Sequence, residues 1–286
     1  MKKVGMGLLT VLVVLAFVSE VFAGPPLTNA EGVGGCALNP FAYVANPIKE
    51  GETGIQGSQY IGYPQIGLWK IGLYDNKPVG RIDWFTIGVN ISFFNRLEIG
   101  YSHEYVDIEN VKNVGKDNLT AKLNLIREGD FGIKLLPAVS VGAIYKTTSI
   151  NADDDSDVDY YVVATKMFGD LPVPVMLNAG LLFTKGIVRG VLGFGDDRDT
   201  VFFGNIETVL FKKFIVGWEY EAKVDTELDD QDVRTYAMWE AHLAYMPTAD
   251  LMLVVSYAYT GDKDHFENGK TYAFGNAYVL SLQYTF

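Results

Sequence analysis

Cysteine is almost absent from this sequence, which has Cys36 alone among 286 residues. No intramolecular disulfide can form, so the fold must be stabilised by other contacts. Basic residues are also scarce, with 23 Lys and Arg against 35 Asp and Glu and a formal net charge of −12. Proteins that bind nucleic acid use clustered basic residues to displace counterions. Nucleic acid is therefore not an expected partner.

Long hydrophobic runs are missing after the first 23 residues, although 49% of all residues are hydrophobic. A membrane-spanning helix needs about 20 consecutive apolar residues. If the mature chain crosses a membrane, it must do so as a closed β-barrel, because lipid leaves no other way to pair every backbone group. The 17 Tyr, 17 Phe, 4 Trp and 30 Gly favour such strands. A soluble secreted β-sandwich is the alternative.

The N-terminal end has the three-part layout of a secretory signal peptide. Lys2 and Lys3 precede an apolar run over residues 4–18, and a short polar step ends at Ala23. The run is shorter than the ~20 residues of a spanning anchor. We therefore predict a signal peptide over 1–23 that is removed on export.

From residue 67 onward, twelve segments of about ten residues alternate between apolar and polar positions. Neighbouring residues of a strand point to opposite faces of its sheet. Phe214, Val216 and Trp218 accordingly share one face, while Glu219 and Glu221 share the other. The predicted strands cover 67–74, 83–93, 96–108, 118–128, 137–148, 158–168, 174–185, 200–211, 213–223, 233–245, 250–260 and 276–286. This pattern predicts an all-β transmembrane antiparallel barrel of about 12 strands over residues 67–286.

Short and long connections alternate between these segments. Short links lie at 94–95, 169–173, 212 and 246–249, and long ones include 109–117, 149–157, 186–199, 224–232 and 261–275. Bacterial barrels have short periplasmic turns and longer external loops. An even strand number then predicts that both termini are periplasmic.

The last segment carries an apolar and aromatic row on one face. This row consists of Tyr278, Leu280, Leu282, Tyr284 and Phe286. It resembles the terminal strand of outer-membrane barrels that their assembly machinery recognises. The resemblance implies that barrel-assembly machinery is a partner and that the row is needed for insertion.

Residues 24–66 do not follow the strand pattern and are rich in glycine and proline. Three interpretations stay open: a periplasmic segment, a plug inside the barrel, or an extra pair of strands. Pro64 interrupts the second candidate strand and removes a ladder donor. This weighs against a barrel of fourteen strands.

Several charged side chains fall in the polar phase of the predicted strands, which faces the lumen. These candidate lumen charges are Glu98, Glu104, Lys122, Lys146, Glu207, Glu219, Glu221, Arg234 and Glu240. Acids outnumber bases in this set. Such charges either line a solute path or brace the wall as paired networks, and the sequence leaves both interpretations open.

Two loop sequences have the composition of ligand sites but lack the required frame. The glycines of residues 190–195 resemble a phosphate-binding loop, but the strand and helix that such a site needs are missing. This segment is predicted to be a flexible external loop, with an inward fold that narrows the lumen as the alternative. The aspartates of residues 153–159 lack the spacing of a calcium-binding hand and are predicted to form a solvated loop.

Catalytic machinery has few possible members. The chain has three histidines, His103, His242 and His265, and none lies in a recognisable motif. His242 shares a strand face with Glu240, which predicts a polar network in the lumen. The sequence predicts no enzyme, with no catalytic residue, no cofactor and no metal site.

Several stretches resemble an uncharacterised bacterial family of outer-membrane proteins, a domain of unknown function. The matching stretches are EGVGG at 31–35, NPFA at 39–42, FNRLE at 94–98, SVGAIYK at 140–146, YYVVATK at 160–166, GVLGFGD at 190–196 and GWEY at 217–220. The chain departs from the family at Cys36, where the family tends to have glycine. The resemblance implies a barrel in the bacterial outer membrane and implies no activity or substrate.

Two kinds of function remain open. A narrow, passive, porin-like channel for small solutes is favoured because the predicted lumen is polar. The alternative is a structural or adhesive barrel that acts through acidic external loops, and an outer-membrane hydrolase is less favoured. The expected partners are outer-membrane lipids, lipopolysaccharide and, through the lumen acids, small cationic solutes.

Overall fold

The computed structural model describes residues 28–74, 80–109, 113–150, 153–228, 231–261, 271–272 and 274–286. The predicted signal peptide lies outside these residues. The described strands are β1 (Gln65–Leu73), β2 (Ile82–Phe93), β3 (Leu97–Ile108), β4 (Val114–Ile126), β5 (Ala138–Ile150), β6 (Asp153–Phe168), β7 (Val175–Gly186), β8 (Phe194–Leu210), β9 (Phe214–Glu221), β10 (Asp225–Leu228), β11 (Gln231–Thr235), β12 (Met238–Tyr245), β13 (Leu251–Tyr259), β14 (Thr271–Tyr272) and β15 (Asn276–Thr285). Single 3-10 turns lie at Ile55–Gly57 and Asp130–Gly132. In the described part of the chain, no helix has the length and apolar character to cross a membrane.

Twelve of these strands close into one antiparallel barrel. The order around the wall is β1-β2-β3-β4-β5-β6-β7-β8-β9-β12-β13-β15, and β15 pairs with β1 to complete the ring. The closing pair is in register over its whole length, with Leu68 opposite Leu282. The predicted twelve-stranded antiparallel barrel is confirmed.

The outer surface of the barrel is apolar. Alternate side chains of each wall strand point outward and are exposed, as in β4, where Leu119 is 56% exposed between buried neighbours. Other outward residues are Ile99, Tyr101, Leu123, Leu177, Phe202, Val216, Trp218, Leu253, Val255, Tyr278, Leu280 and Leu282. A lipid bilayer requires an apolar exterior and a sheet without unpaired edges. The alternation of side chains provides the first, and the closure of the barrel provides the second.

A small sheet lies outside the barrel ring and contacts it through β10, where the Thr226 hydroxyl donates to the Asp197 carbonyl oxygen on β8 at 2.7 Å. In it β11 pairs antiparallel with β10 and parallel with β14. The prediction of one barrel strand over 233–245 is therefore wrong, because β12 enters the wall only at Met238. Tyr236 and Ala237 separate the two strands without interrupting the sequence alternation. A local pattern therefore gave no sign that the chain leaves one sheet and joins another.

Strands β6 and β8 are longer than the sequence pattern predicted. β6 begins at Asp153 and β8 at Phe194, inside segments that were predicted to be external loops. The β5–β6 ladder continues through Thr148 opposite Asp155 and Lys146 opposite Asp157. The predicted solvated loop for these aspartates is corrected to a strand. The physical reason is that the paired backbone supplies the hydrogen bonds, so acidic side chains that face water do not end the ladder.

Two of the short links, 94–96 and 211–213, contain a tight turn closed by a backbone hydrogen bond, from the Arg96 N–H to the Phe93 carbonyl oxygen and from the Lys213 N–H to the Leu210 carbonyl oxygen. Phe94 and Asn95 have φ of 55° and 54°, and Phe211 and Lys212 have φ of 53° and 60°. Two consecutive residues in the left-handed region form the turn whose twist matches that of the flanking strands. These turns fix the register of β2 with β3 and of β8 with β9.

Residues 28–46, here called the lumen segment, lie inside the barrel. Their backbone bonds to side chains from opposite parts of the wall: Trp69 on β1 donates to the Thr28 carbonyl oxygen at 2.9 Å, and Asn178 on β7 donates to the Pro40 carbonyl oxygen at 3.1 Å. Apolar members of the segment, among them Val33 and Phe41, pack against inward-facing wall residues. The core of the protein is therefore shared between the wall and this segment.

Candidate functional site

The interior of the barrel is the candidate site, and the lumen segment approaches its wall very closely. At Gly100 on β3, an added Cβ would lie 2.1 Å from the Gly32 carbonyl oxygen. Gly32 itself has a φ of 81°, which favours glycine. Glycine at both positions lets the two backbones meet without side chains between them.

Glu98 on β3 anchors the segment at two points. Its Oε1 accepts the Gly34 N–H at 2.7 Å, and its Oε2 accepts the Ala45 N–H at 2.6 Å. Lys122 on β4 pairs with Glu98 at 2.9 Å and donates to the Gly34 carbonyl oxygen at 2.8 Å. Both charged side chains are 1% exposed. The wall thus uses a buried ion pair to bind the backbone of a loop.

Glu31 of the lumen segment meets three cations. Its carboxylate lies 3.0 Å from Lys116 Nζ, 2.5 Å from Lys146 Nζ and 2.5 Å from an Arg189 terminal nitrogen. Each cation also has a partner on the wall: Lys116 pairs with Glu104 at 2.9 Å, Lys146 pairs with Asp159 at 2.7 Å, and Arg189 pairs with Glu221. These seven side chains are called the ion-pair cluster.

The cluster determines the ionisation of Glu31. Burial by itself disfavours the carboxylate, but the charges of Arg189, Lys146 and Lys116 outweigh burial and hold the pKa of Glu31 well below its usual value of 4.5. Glu31 is therefore a buried anion at neutral pH. It links the segment electrostatically to three different parts of the barrel.

Arg189 reaches the cluster because its loop folds inward. Residues 187–193 form successive tight turns, with Val188, Arg189, Gly190 and Gly193 all at positive φ. Ile187 and Val191 are buried, and the Gly190 carbonyl oxygen accepts the Thr148 hydroxyl at 2.6 Å. Of the two interpretations that the sequence left open for this loop, the inward fold is the one that the structure has.

A second buried cluster joins Cys36 to the opposite wall. His242 on β12 lies between two carboxylates, with Nδ1 2.6 Å from Glu240 Oε1 and Nε2 2.8 Å from Glu207 Oε2. The Cys36 thiol donates to Glu207 Oε1 at 3.3 Å and lies 3.7 Å from His242 Nε2. Glu219 on β9 is the cross-strand partner of Glu240. These five residues are called the thiol–imidazole cluster.

Backbone groups of the lumen segment hold Glu219 in place. Its Oε1 accepts the Ala37 N–H at 2.7 Å, and its Oε2 accepts the Asn39 N–H at 2.8 Å. Burial and the nearby carboxylates of Glu207, Glu219 and Glu240 raise the pKa of the Cys36 thiol well above its usual value. Cys36 is therefore a protonated thiol at neutral pH.

The structure brings most of the predicted lumen charges together inside the barrel. The eight that face the interior are Glu98, Glu104, Lys122, Lys146, Glu207, Glu219, Glu221 and Glu240, all 3% exposed or less. Arg234 is the exception and is corrected: it lies on β11 of the small sheet, its side chain is 59% exposed, and it pairs with Asp225. Because β11 is not a strand of the barrel wall, the polar position of Arg234 in the sequence alternation does not correspond to a lumen-facing side chain.

Sequence reasoning missed four charged members of the interior: Glu31, Lys116, Asp159 and Arg189. Lys116 lies on β4 before the predicted strand start at residue 118, so a longer predicted strand would have included it. Asp159 lies inside the predicted strand 158–168, and it was missed because it also ends the run of aspartates that predicted a solvated loop. Glu31 was visible only as part of the EGVGG stretch. Nothing in the local sequence signalled Arg189.

Acids outnumber bases in the described interior. Eight buried carboxylates face four buried Lys and Arg side chains and one buried histidine. The carboxylates are Glu31, Glu98, Glu104, Asp159, Glu207, Glu219, Glu221 and Glu240, and the cations are Lys116, Lys122, Lys146, Arg189 and His242. The surplus is concentrated around Cys36, where three carboxylates share one imidazole.

The remaining predicted features lie outside the lumen. The row Tyr278, Leu280, Leu282, Tyr284 and Phe286 faces outward, and the rings of Tyr284 and Phe286 meet edge to face at 5.1 Å. On the other face of β15, Gln283 accepts the Thr28 N–H at 2.6 Å. His103 points outward on β3 beside Asp117 at 3.0 Å, and His265 lies outside the described residues.

One family model matches most of the chain. The family is described as "Protein of unknown function (DUF3034)", and the match covers residues 25–274. No curated protein is significantly similar to the chain.

Solved outer-membrane barrels resemble the chain in fold. The NanC porin is 13% identical, with 78% of this chain and 100% of that chain covered and a TM-score of 0.48. An outer membrane channel from Pseudomonas putida F1 is 10% identical over 84% of this chain and 100% of that chain, with a TM-score of 0.48. The outer membrane phospholipase of Salmonella typhi is 8% identical over 82% and 94%, with a TM-score of 0.44. These likenesses concern the barrel fold alone.

The location of the chain follows from its own architecture. A closed antiparallel barrel with an apolar and aromatic exterior and a polar interior is the form that bacterial outer-membrane proteins adopt. The chain is an outer-membrane β-barrel.

Proposed function

We propose, for a chain that belongs to the DUF3034 family of proteins of unknown function, a role as an outer-membrane channel for small solutes whose lumen is closed at rest by residues 28–46. One observation carries the proposal. The inner wall is charged, and it binds the lumen segment through the segment's backbone, as Glu98 does with Gly34 and Ala45.

A charged inner wall is not what a permanently filled barrel interior would require. Replacing a buried ion pair with apolar side chains of similar volume is commonly neutral or stabilising. A barrel that served only as a rigid body would gain from an apolar core. This barrel instead buries Glu104, Lys116, Lys122 and Lys146 at 0–1% exposure. When the segment moves out, the same side chains become the lining of an aqueous path.

The solutes that such a path favours are small and cationic. When Glu31 leaves with the lumen segment, seven buried carboxylates remain against four Lys and Arg side chains and one His, so the lining stays negative. A narrow passage between low-dielectric walls strengthens the field of fixed charges. At twelve strands the lumen is narrower than the aqueous channel of a sixteen-stranded porin, so large solutes are excluded.

A structural barrel is the second candidate. The close approach of Gly32 to Gly100, where a Cβ would lie 2.1 Å from a carbonyl oxygen, favours a segment that never leaves. In that case the protein acts through its outer surface, where the described β10–β11 hairpin carries exposed Glu227 and lipopolysaccharide is the expected contact.

A thiol hydrolase is disfavoured despite the nearness of Cys36 and His242. Cys36 is 3% exposed, so a substrate cannot reach the thiol while the lumen segment is in place. Because burial and three carboxylates raise its pKa, the thiolate that such catalysis requires is not formed readily.

The deciding experiment is conductance of the refolded full chain in planar bilayers. We expect rare openings from the native protein and more frequent openings from Glu31→Gln, which loosens the segment. In a salt gradient, the reversal potential of these openings should report cation preference. Silence from both proteins would favour the structural barrel, and anion preference would remove the claim about solute charge.

A further inference from the structure

We propose that Cys36, Glu219, Glu240 and His242 form a binding site for one divalent transition-metal ion, for which Zn²⁺ is the natural probe. One ligand atom from each of the four residues lies within 4.8 Å of the others, and all four residues are buried. The site requires no solute path, so it is independent of whether the barrel conducts.

The donor set matches borderline-soft metals. Thiolate sulfur, imidazole nitrogen and carboxylate oxygen are the three ligand types of zinc in proteins, with metal–ligand distances of about 2.0–2.3 Å. Ligands at those distances in a tetrahedron lie about 3.3–3.8 Å from one another. The thiol and the imidazole are already 3.7–3.8 Å apart. No two ligand atoms lie more than 4.8 Å apart, so the widest pair would close by about 1 Å on binding.

The carboxylates give the independent second indication. Glu240 Oε2 is buried and has no hydrogen-bond partner among the described residues, and the Glu240 side chain is 1% exposed. A buried, unpartnered carboxylate oxygen is costly unless a proton or a cation meets it. The only cationic member of the cluster is His242, which faces three carboxylates. A metal ion at this point would satisfy the free oxygen.

The two ring nitrogens of His242 face different carboxylates, one that would bind the metal and one that would hold the ring. Nδ1 lies on the side of Glu240 at 2.6 Å, and Nε2 lies on the side of Glu207 at 2.8 Å. With Nδ1 bound to the metal, Nε2–H still donates to Glu207. Metal-bound histidines commonly donate their second N–H to a carboxylate in this way, which fixes the ring. Glu207 is therefore a positioning residue and not a ligand.

The ligands come from separate parts of the molecule. Cys36 belongs to the lumen segment, Glu219 to β9, and Glu240 and His242 to β12. Glu219 is fixed by the N–H groups of Ala37 and Asn39, which follow Cys36 in the segment. On binding, the metal replaces the thiol proton and the Nδ1 proton, and both protons are released to solvent. The ion would then tie the lumen segment to the wall.

The test uses the folded full chain, stripped with a chelator and then titrated with Co²⁺ or Zn²⁺. We expect one equivalent of metal per chain and, with Co²⁺, the absorption of a thiolate–cobalt bond in the near ultraviolet. Cys36→Ser should abolish that band, and His242→Gln should abolish stoichiometric binding. Glu207→Gln should weaken Zn²⁺ binding about 10–100-fold while retaining the thiolate band.

His103→Gln is the matched control, because His103 points outward and is 47% exposed on its side chain. It should bind metal like the native chain, and heat-modifiable migration checks that each variant is folded. If a variant fails to fold, the native chain still decides the matter, since bound Zn²⁺ should protect Cys36 from maleimide. No protection, no thiolate–cobalt band, or equal binding by Cys36→Ser and the native chain would overturn the proposal.

Discussion

Glu31→Gln tests whether the ion-pair cluster keeps the lumen segment in place. The substitution keeps the shape of the side chain and removes its charge. Three contacts weaken at once, those to Lys116, Lys146 and Arg189. The three cations stay partnered, because their wall partners Glu104, Asp159 and Glu221 are unchanged.

The magnitude follows from those remaining partners. Removing one member of a buried ion pair costs about 3–5 kcal/mol, largely because the other charge is left unpaired. Since no cation is left unpaired here, the lower end of that range applies, about 3 kcal/mol. If this loss of about 3 kcal/mol affects only the state in which the segment lies inside the barrel, the ratio of molecules with a displaced segment to molecules with the segment in place rises about 100-fold.

Cys36 provides the assay. It is the single cysteine of the chain, it lies five residues beyond Glu31 in the same segment, and it is 3% exposed. Its maleimide labelling rate, measured with a chelator present and divided by the rate for the denatured chain, therefore reports how often the segment is displaced. We expect the rate to rise by about two orders of magnitude in Glu31→Gln.

The matched control is Glu227→Gln, the same change at an exposed position of β10. It should leave the labelling rate within a factor of about two, because exposed charges contribute little. A labelling rate in Glu31→Gln that equals the native rate would refute the argument that these contacts hold the segment. Equal acceleration in both variants would show a general loss of stability instead.

Three further outcomes are expected. Because the pKa of Glu31 lies below 4.5, its stabilising contribution is fully present above that value and is lost as the pH falls through the lowered pKa. The ratio of the Cys36 labelling rate in Glu31→Gln to that in the native chain should therefore stay constant between about pH 7 and pH 5, and a fall of this ratio within that window would contradict the argument. In a Cys36→Ser background, membrane-impermeant labelling of intact cells should reach Asp155→Cys and Glu227→Cys but not Lys212→Cys, and the reverse pattern would invert the predicted orientation. Replacing Tyr284 and Phe286 by Asp should leave unassembled protein without heat-modifiable migration, whereas Phe131→Asp, in a turn where Phe131 is 84% exposed, should assemble normally.

The strands of the barrel wall could be predicted from the sequence because the pattern that marks them is local. Alternation with a period of two needs only neighbouring residues, and it identified the twelve wall strands, their outward apolar row and eight inward charges. The same signal failed at Arg234, where the chain changes sheets without changing phase. It also began too late on β4, so Lys116 was missed, and the run of aspartates over 153–159 concealed the inward position of Asp159.

The contents of the barrel were decided only by the tertiary structure. Glu31 meets residues 85 and 158 positions away, and Cys36 meets His242 across 206 positions. No local pattern encodes such contacts, because they exist only after β15 pairs with β1 and the closed wall surrounds residues 28–46. The sequence alone determined a polar lumen with an excess of carboxylates. Closure decided which charges meet, that Arg189 turns inward, and that a thiol lies beside an imidazole and three carboxylates.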